Sequence, residues 1–142
     1  MKDTNEFGMP LDRNGYANSI ISGHGDWCCW VCKQNGTRAG KLDRHEVFHE
    51  DMGGKMRERS KEYGLWVHLC HDTCHQGPHG VHADNGLDLW LKQVAQRTAM
   101  STYGWTTEQF IEMFGKNYLE EDYGEWLRSI DRSTCPSGQT AK

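Results

Sequence analysis

Hydrophobic and polar positions alternate weakly in the first half of the chain and recur at helical spacing in the second half. Over residues 41–48 apolar and polar side chains alternate imperfectly, which favours a short strand. Residues 65–69 are apolar except for His68, and this run predicts a second strand. The first half therefore predicts a small, irregular unit of two strands.

The second half of the chain has the spacing of amphipathic helices. Apolar side chains recur every three or four residues over residues 86–100, which predicts a helix with one buried face. Asp84 or Asn85 can cap the first turn of this helix. Thr106 followed by Gln109 has the pattern of a capping box, so a second helix is expected to begin there.

These elements predict one domain of the α+β class, with two or three helices after the strands. The last helix is expected over residues 123–130. Residues 1–26 are polar and rich in Gly and Asn, so they are expected to form a flexible N-terminal segment. Residues 27–132 are expected to form the compact domain, and residues 133–142 a disordered tail.

Few aliphatic side chains are available to build a core. Leu, Ile, Val and Phe number 22 of 142 residues, and chains below roughly 20% struggle to fold on aliphatic burial alone. The chain also has six Trp, six Cys and eight His. Since the net charge is only −4, wholesale disorder is not expected. Aromatic burial or a metal staple must then supply the missing stability.

The chain carries no sign of a membrane or of secretion. No apolar run approaches the roughly 20 residues of a membrane span, and the first residues, MKDTNEFG, lack the apolar stretch of a signal peptide. A cytoplasmic protein with no membrane partner is therefore expected. Thiols stay reduced in that compartment, so grouped cysteines favour a metal over disulfides.

Four of the six cysteines fall into two short-spaced pairs. The pairs are Cys29 with Cys32 and Cys70 with Cys74. Each pair can span one edge of a tetrahedral structural zinc ion, which binds thiolates at ~2.3 Å. Cys28 is an alternative to Cys29, because its spacing to Cys32 is also suitable. Cys135 in the tail is expected to be free.

Seven of the eight histidines lie between positions 45 and 82. They are His45, His49, His68, His71, His75, His79 and His82. Neutral imidazoles are good metal ligands and good general bases near neutral pH. The segment HEVFH matches the H-E-x-x-H motif of zinc proteases, in which two His one helical turn apart hold zinc and the Glu activates water. The third His of the elongated form of that motif is absent.

The order of motifs supports a second interpretation of the histidines. A cysteine pair, a His-Glu pair on a strand, an L-C to C-H segment, a G-V-H element and an F-G-K-N-Y segment follow one another. These are, in order, Cys29–Cys32, His45-Glu46, Leu69–His75, Gly80–His82 and Phe114–Tyr118. Over residues 29–119 the chain resembles the HNH, or ββα-metal, endonucleases. More narrowly, it resembles small phage and prophage proteins of that type with an embedded zinc knot.

The resemblance implies a ββα-metal core that hydrolyses phosphodiester bonds of DNA. It implies that His45, His75 and His82 bind a catalytic divalent metal, with Mg, Mn or Ni as the expected ion. It also implies that either His45 or Glu46 is the general base. A phage-encoded protein of this kind would act in the cytoplasm of its bacterial host cell.

A non-catalytic alternative stays open. Leu65 stands where the family has the Asn that fixes the base-bearing loop. A degenerate HNH fold would act as a nucleic-acid-binding module or would bind a protein partner. Charge is polarised along the chain, because residues 33–61 hold eight of the sixteen Lys and Arg whereas residues 108–131 carry seven acids. The half with the cysteines and histidines can therefore face the DNA backbone.

Overall fold

The computed structural model describes residues 3–21, 28–32, 41–49, 54–77 and 80–120. Within them the chain combines a two-stranded antiparallel sheet with three α-helices, which confirms the predicted α+β class. The helix expected over residues 123–130 and the tail 133–142 lie outside the described residues.

The sheet consists of strands β1, Leu42–Glu46, and β2, Trp66–Cys70. Both predicted strands are present, each shifted by about one residue at its start. The strands pair from Leu42 opposite Cys70 to Glu46 opposite Trp66. Successive side chains of a strand point to opposite faces, so the neighbours His45 and Glu46 leave β1 in opposite directions.

A helix that the hydrophobic pattern did not reveal, α1, spans Lys55–Glu62 between the two strands. It buries only Met56 and Ser60. The Ser60 hydroxyl donates a hydrogen bond to the Phe48 carbonyl at 2.7 Å and accepts one from the Phe48 amide at 3.1 Å. These two bonds fix the chain where it leaves β1, although α1 has almost no apolar face.

A five-residue π-helical turn, His71–His75, follows β2 directly. Helix α2, Asn85–Tyr103, comes next and begins at Asp84, whose side chain accepts hydrogen bonds from the amides of Gly86 and Leu87. Asp84 is thus the cap, one of the two predicted residues. None of the helices in the described parts of the chain is both long and apolar enough to cross a membrane.

Helix α3, Thr107–Phe114, starts with the predicted capping box between Thr106 and Gln109. Gly115 ends it in the left-handed conformation, with φ of 92°, which glycine adopts without strain. A short 3-10 turn, Tyr118–Glu120, follows.

Aromatic rings replace the missing aliphatic side chains in the core. The Phe48 ring lies 5.4 Å from that of Phe110, 4.7 Å from that of Phe114 and 5.2 Å from that of Tyr118, measured between centroids. All four residues are buried. Large rings remove much apolar surface from water for each residue, so this cluster compensates for the low aliphatic content.

Residues 3–21 fall in the segment that was expected to be flexible, but they pack against α1 and β2. Ala17 is 1% exposed; its amide donates to the Lys61 carbonyl at 2.9 Å, and its carbonyl accepts from the Trp66 indole at 2.8 Å. The Ile20 amide donates to the carbonyl of Gly64, a residue at which a Cβ would collide with the Asn18 carbonyl oxygen. The apolar contacts of the segment come from isolated side chains such as Phe7, whose ring stacks on that of Tyr103 at 4.4 Å, so they leave no apolar periodicity that would predict packing.

Candidate metal centres

The sulfurs of the two cysteine pairs form one buried cluster. The four residues, Cys29, Cys32, Cys70 and Cys74, are all buried, and their sulfurs all lie within 4.8 Å of one another. The Sγ atoms of Cys32 and Cys70 are 4.0 Å apart, close to the roughly 3.8 Å edge of a tetrahedron whose metal–sulfur bonds are ~2.3 Å. This cluster can therefore hold a metal ion.

Each cysteine pair is built in the same way. The Cys32 amide donates to Cys29 Sγ at 3.5 Å, and the Cys74 amide donates to Cys70 Sγ at 3.3 Å. Such donors favour thiolates, the form that binds metals. Cys28 is half-buried and does not belong to the cluster, so the structure selects Cys29 over the alternative.

The charge balance of the four thiols favours a bound cation. Hydrogen bonding from Cys32 lowers the pKa of Cys29 to about 7. In contrast, hydrogen bonds with Cys29, Cys32 and Cys70 raise the pKa of Cys74 far above its ordinary value. The cysteines in the described residues form no disulfide. Without a metal, the four thiols cannot all ionise, because neighbouring thiolates repel one another. A divalent ion at the centre would offset this repulsion.

The three histidines expected to bind a catalytic metal come together from distant parts of the sequence. His45 lies on β1, His75 ends the π-helical turn and His82 precedes α2. The His45 ring centroid is 5.2 Å from that of His75 and 5.1 Å from that of His82, and the latter two are 4.7 Å apart. The Nε2 atoms of His75 and His82 are separated by 3.0 Å. A single ion can bind all three imidazoles.

Two buried imidazole nitrogens in this cluster have no hydrogen-bond partner. They are Nε2 of His45 and Nε2 of His49. Buried polar atoms are normally satisfied, because an unmet hydrogen bond costs about 1–3 kcal/mol. His45 is only 2% exposed, so bulk water does not satisfy it. A bound cation would fill this need, and the donors therefore fit a metal.

His49 and Asp88 extend the cluster beyond the expected ligand set. The His49 ring lies 5.3 Å from the His45 ring and 5.4 Å from the His82 ring. His45, His49 and Asp88 form a further group of mutually close ligand atoms. The signal for His49 was its presence in HEVFH, whereas nothing in the sequence pointed to Asp88 beyond its place in the first turn of a helix.

Asp43 connects β1 to the π-helical turn and was not foreseen. Its Oδ2 lies 2.6 Å from Nδ1 of His71 and 2.8 Å from Nδ1 of His75. Burial raises the pKa of Asp43, but the hydrogen bonds to His75 and His71 outweigh it and lower the net value. With Nδ1–H donating to the carboxylate, His75 keeps the Nε2 lone pair free to bind a metal. Asp43 shares a face of β1 with His45, a relation that strand alternation could have revealed.

Three imidazoles at this site, those of His45, His49 and His82, are held in their neutral form. Burial is the largest cause that places the pKa of His45 well below its usual 6.5, and the charge of a protonated His49 is the second. Burial also lowers the pKa of His49 to about 4. Burial, then His75 and Arg57, lowers the pKa of His82. Neutral imidazoles are the form that binds metal ions.

Glu46 does not join this cluster, although it was one of the two expected general bases. Its carboxylate accepts a hydrogen bond from the Tyr16 hydroxyl at 2.8 Å and pairs with Nε of Arg57 at 2.9 Å. It leaves β1 on the face opposite His45, because side chains alternate along a strand. The structure therefore does not bring the two members of the expected catalytic pair together.

The zinc-protease alternative requires a helix that is not formed. In that motif the two His lie one turn apart on a helix. Here His45 belongs to strand β1 and His49 lies just beyond its end. The segment HEVFH thus lacks the conformation of a zinc-protease site.

No protein-family model, no curated protein sequence and no solved structure matches the chain. A functional conclusion therefore rests on the residues and the geometry described above.

Proposed function

We propose that the chain is a zinc-stapled, metal-dependent endonuclease of the HNH type that hydrolyses phosphodiester bonds of DNA. The observation that carries the proposal is that His45, His75 and His82 lie together, and that the buried Nε2 of His45 has no hydrogen-bond partner. The imidazoles come from a strand, a turn and the approach to a helix, in the order that the resemblance implies.

The cysteine cluster would bind a structural zinc ion and thereby position the histidines. Cys70 directly precedes the π-helical turn, Cys74 lies within it, and His75 follows Cys74 directly. The Val81 amide donates to the Cys74 carbonyl at 2.8 Å, which brings the residue before His82 to the same turn. Zinc at the four sulfurs would hold both imidazoles in place, because structural zinc supplies folding free energy.

The histidine cluster would carry the hydrolytic chemistry. A divalent ion such as Mg²⁺, Mn²⁺ or Ni²⁺ would polarise the scissile phosphate and stabilise the leaving oxygen. His82 is exposed whereas His45 is buried, so a phosphate would approach from the His82 side. Arg57, whose side chain is 59% exposed, lies close enough to lower the pKa of His82 and would hold the DNA backbone.

The proton of the attacking water needs a neutral acceptor near the ion. His49 is the candidate acceptor, because its Nε2 is unpartnered and burial lowers its pKa to about 4, which keeps the ring neutral. It also lies outside the group formed by His45, His75 and His82. Glu46 does not meet it, since Tyr16 and Arg57 occupy its carboxylate.

A plasmid-nicking assay with Mg²⁺, Mn²⁺ or Ni²⁺ tests this proposal. His45→Ala should abolish nicking, and His49→Gln should lower the rate by about 10²–10⁴-fold, the usual contribution of a general base. Glu46→Gln is the matched control on the same strand and should keep nicking within about threefold of wild type. Nicking that survives His45→Ala would refute the assignment of the site.

One observation favours a second function. Leu65, at the position of the family's Asn, is fully buried in the core, so its side chain can supply no polar contact to a base-bearing loop. A chain that binds metal at the histidines but nicks DNA with none of the three ions would be a binding module instead. Gel-shift titration with duplex DNA would then separate a nucleic-acid-binding role from binding of a protein partner.

A further inference from the structure

We propose that His49 is a fourth ligand of the ion at the histidine cluster, and that Zn²⁺ closes this site by binding four imidazoles. The other three ligands are those of the proposed function, His45, His75 and His82. The inference rests on that proposal for its meaning, because it concerns the same ion, but its test needs no DNA.

The spacing of the four rings is close to that of a tetrahedral site. Five of the six separations between their centroids lie between 4.7 and 5.4 Å. Four imidazoles bound to one ion at ~2.0–2.1 Å would have centroids roughly 5.2 Å apart, because each centroid lies roughly 1.1 Å behind its nitrogen. His49 neighbours two rings of the trio, those of His45 and His82. It is not part of the closest group, so it has to move toward the ion to bind it.

Each of the four rings can offer the same nitrogen, Nε2. The Nε2 atoms of His75 and His82 are 3.0 Å apart, near the roughly 3.3 Å edge of a tetrahedron whose metal–nitrogen bonds are ~2.0–2.1 Å. The Nε2 atoms of His45 and His49 are buried and have no hydrogen-bond partner, a state that is costly for a polar atom. One ion bound by all four nitrogens would satisfy both of them.

Asp88 is the other donor beside His45 and His49, but it is less suited to be the fourth ligand. Its Oδ2 pairs with Nζ of Lys92 at 2.7 Å, and the Lys92 side chain is only 6% exposed. Moving this carboxylate to the ion would take it from a buried ammonium, which is unfavourable. His49 has no such pair to give up.

The closing movement is a rotation of the His49 side chain. His49 lies beyond the end of β1, so no strand pairing holds it. The preceding residue, Phe48, is fixed through its amide and its carbonyl by the Ser60 hydroxyl. The backbone therefore stays in place while the imidazole turns toward or away from the ion.

The identity of the ion would decide between the two states. Zinc is four-coordinate in closed structural sites, whereas catalytic sites keep one position for water. Mg²⁺ requires octahedral geometry and retains several waters, so it would leave His49 free to accept a proton. Zn²⁺ would occupy the Nε2 lone pair of His49 and the position that water needs. Zinc at the histidine cluster would thus hold the proposed nuclease in a resting state.

Zinc binding by the full-length chain, with its cysteine cluster already loaded with zinc, tests this inference. Competition with a chelating dye measures the affinity. His49→Gln should weaken Zn²⁺ binding by about tenfold or more, at least the usual cost of disturbing the surroundings of a ligand. His49→Cys should keep it within about threefold of wild type, because a thiolate also binds zinc.

Co²⁺ bound at the histidine cluster gives a second measurement, since four-coordinate Co²⁺ absorbs visible light more strongly than five- or six-coordinate Co²⁺. The absorption should be intense in wild type and weak in His49→Gln. Asp72→Asn is the control and should change neither result, because the Asp72 side chain is 94% exposed.

The inference is overturned if His49→Gln leaves zinc affinity and Co²⁺ absorption unchanged. It is also overturned if His49→Gln and His49→Cys weaken zinc binding alike, as a merely structural role would require. Either result leaves His49 as the base of the proposed function. Conversely, a chain with the expected zinc binding that nicks no DNA would contradict only the proposed function.

Discussion

Replacing Asp43 by Asn changes one atom of the side chain but alters two hydrogen bonds. The carboxylate of Asp43 lies within hydrogen-bond distance of Nδ1 of both His71 and His75. An amide oxygen is a weaker, uncharged acceptor, and the amide nitrogen is a donor that cannot accept from either ring. Charge-assisted hydrogen bonds are roughly twice as strong as neutral ones, so the variant should release the His75 ring from its fixed orientation.

The size of the effect follows from the role of the carboxylate behind a metal-binding His. Changing such a partner typically costs about 10–100-fold in metal affinity, which is about 1.4–2.8 kcal/mol. Asp43 should fall in this range, because its side chain is only 16% exposed and water competes little for it. The effect should be confined to the histidine cluster, since the two short hydrogen bonds of the Asp43 carboxylate go to His71 and His75 and not to the cysteine cluster.

Isothermal titration of Zn²⁺ into chain already carrying zinc at the cysteines measures this loss directly. Asp72→Asn serves as the control, because Asp72 belongs to the same π-helical turn and lies only 3.9 Å from His71 Nε2. Affinity should drop in Asp43→Asn and stay constant in Asp72→Asn. Equal affinities for wild type and Asp43→Asn would refute the claim that this carboxylate orients a metal ligand.

Further outcomes follow from the two clusters. Cys70→Ser should lower the free energy of unfolding by about 4 kcal/mol when free zinc is a thousand times its Kd; denaturant melts check this, and an unchanged midpoint would count against a structural metal. Glu46→Gln should cost about 1–2 kcal/mol, from one hydrogen bond and an ion pair that is exposed on its Arg57 side, and loss of nicking without loss of stability would restore its expected catalytic role. The metal-free chain should lose stability as the pH falls from about 6.5 towards 4, because the unfolded chain binds more protons than the folded His45 and His49 in that window. His49→Gln should flatten this slope in thermal melts, and an unaltered slope would contradict the burial of His49 as its cause.

Local chemistry made several parts of the fold readable from the sequence. The capping residues Asp84, Thr106 and Gln109 act within one helical turn, so their roles need no tertiary information. The grouping of the cysteines into two pairs could be predicted in the same way, because each pair spans a single turn. The choice of Cys29 over Cys28 required the fold, since both spacings suit a tetrahedral ion.

Strand alternation explains why Glu46 lies outside the histidine cluster and how Asp43 was missed. His45 and Glu46 are neighbours on β1, and only one of them can face the ion. Asp43 shares the face of His45. Its partners His71 and His75 belong to a π-helical turn, which no hydrophobic periodicity in the sequence predicts. Asp88 was hidden for a similar reason, since a carboxylate in the first turn of a helix is common.

Hydrogen bonds and isolated aromatic contacts, neither of which produces a hydrophobic pattern, hold the N-terminal segment against the rest of the chain. Residues 3–21 are joined to the rest by hydrogen bonds such as those of Asn5 with the Glu62 carbonyl and of Ala17 with Trp66. They also supply Tyr16, whose hydroxyl donates to Glu46. The hydrophobic pattern of the sequence does not reveal such contacts. The Gly- and Asn-rich composition therefore suggested a flexible segment.

Metal content of the purified full-length chain is the most direct test of two separate centres. After saturation with Zn²⁺ and removal of the excess, inductively coupled plasma mass spectrometry should find two zinc ions per chain, one for each cluster. The double variant His75→Ala, His82→Ala should keep only the ion bound by the thiols. A wild-type chain that retains no more zinc than this double variant would contradict the existence of a histidine metal site.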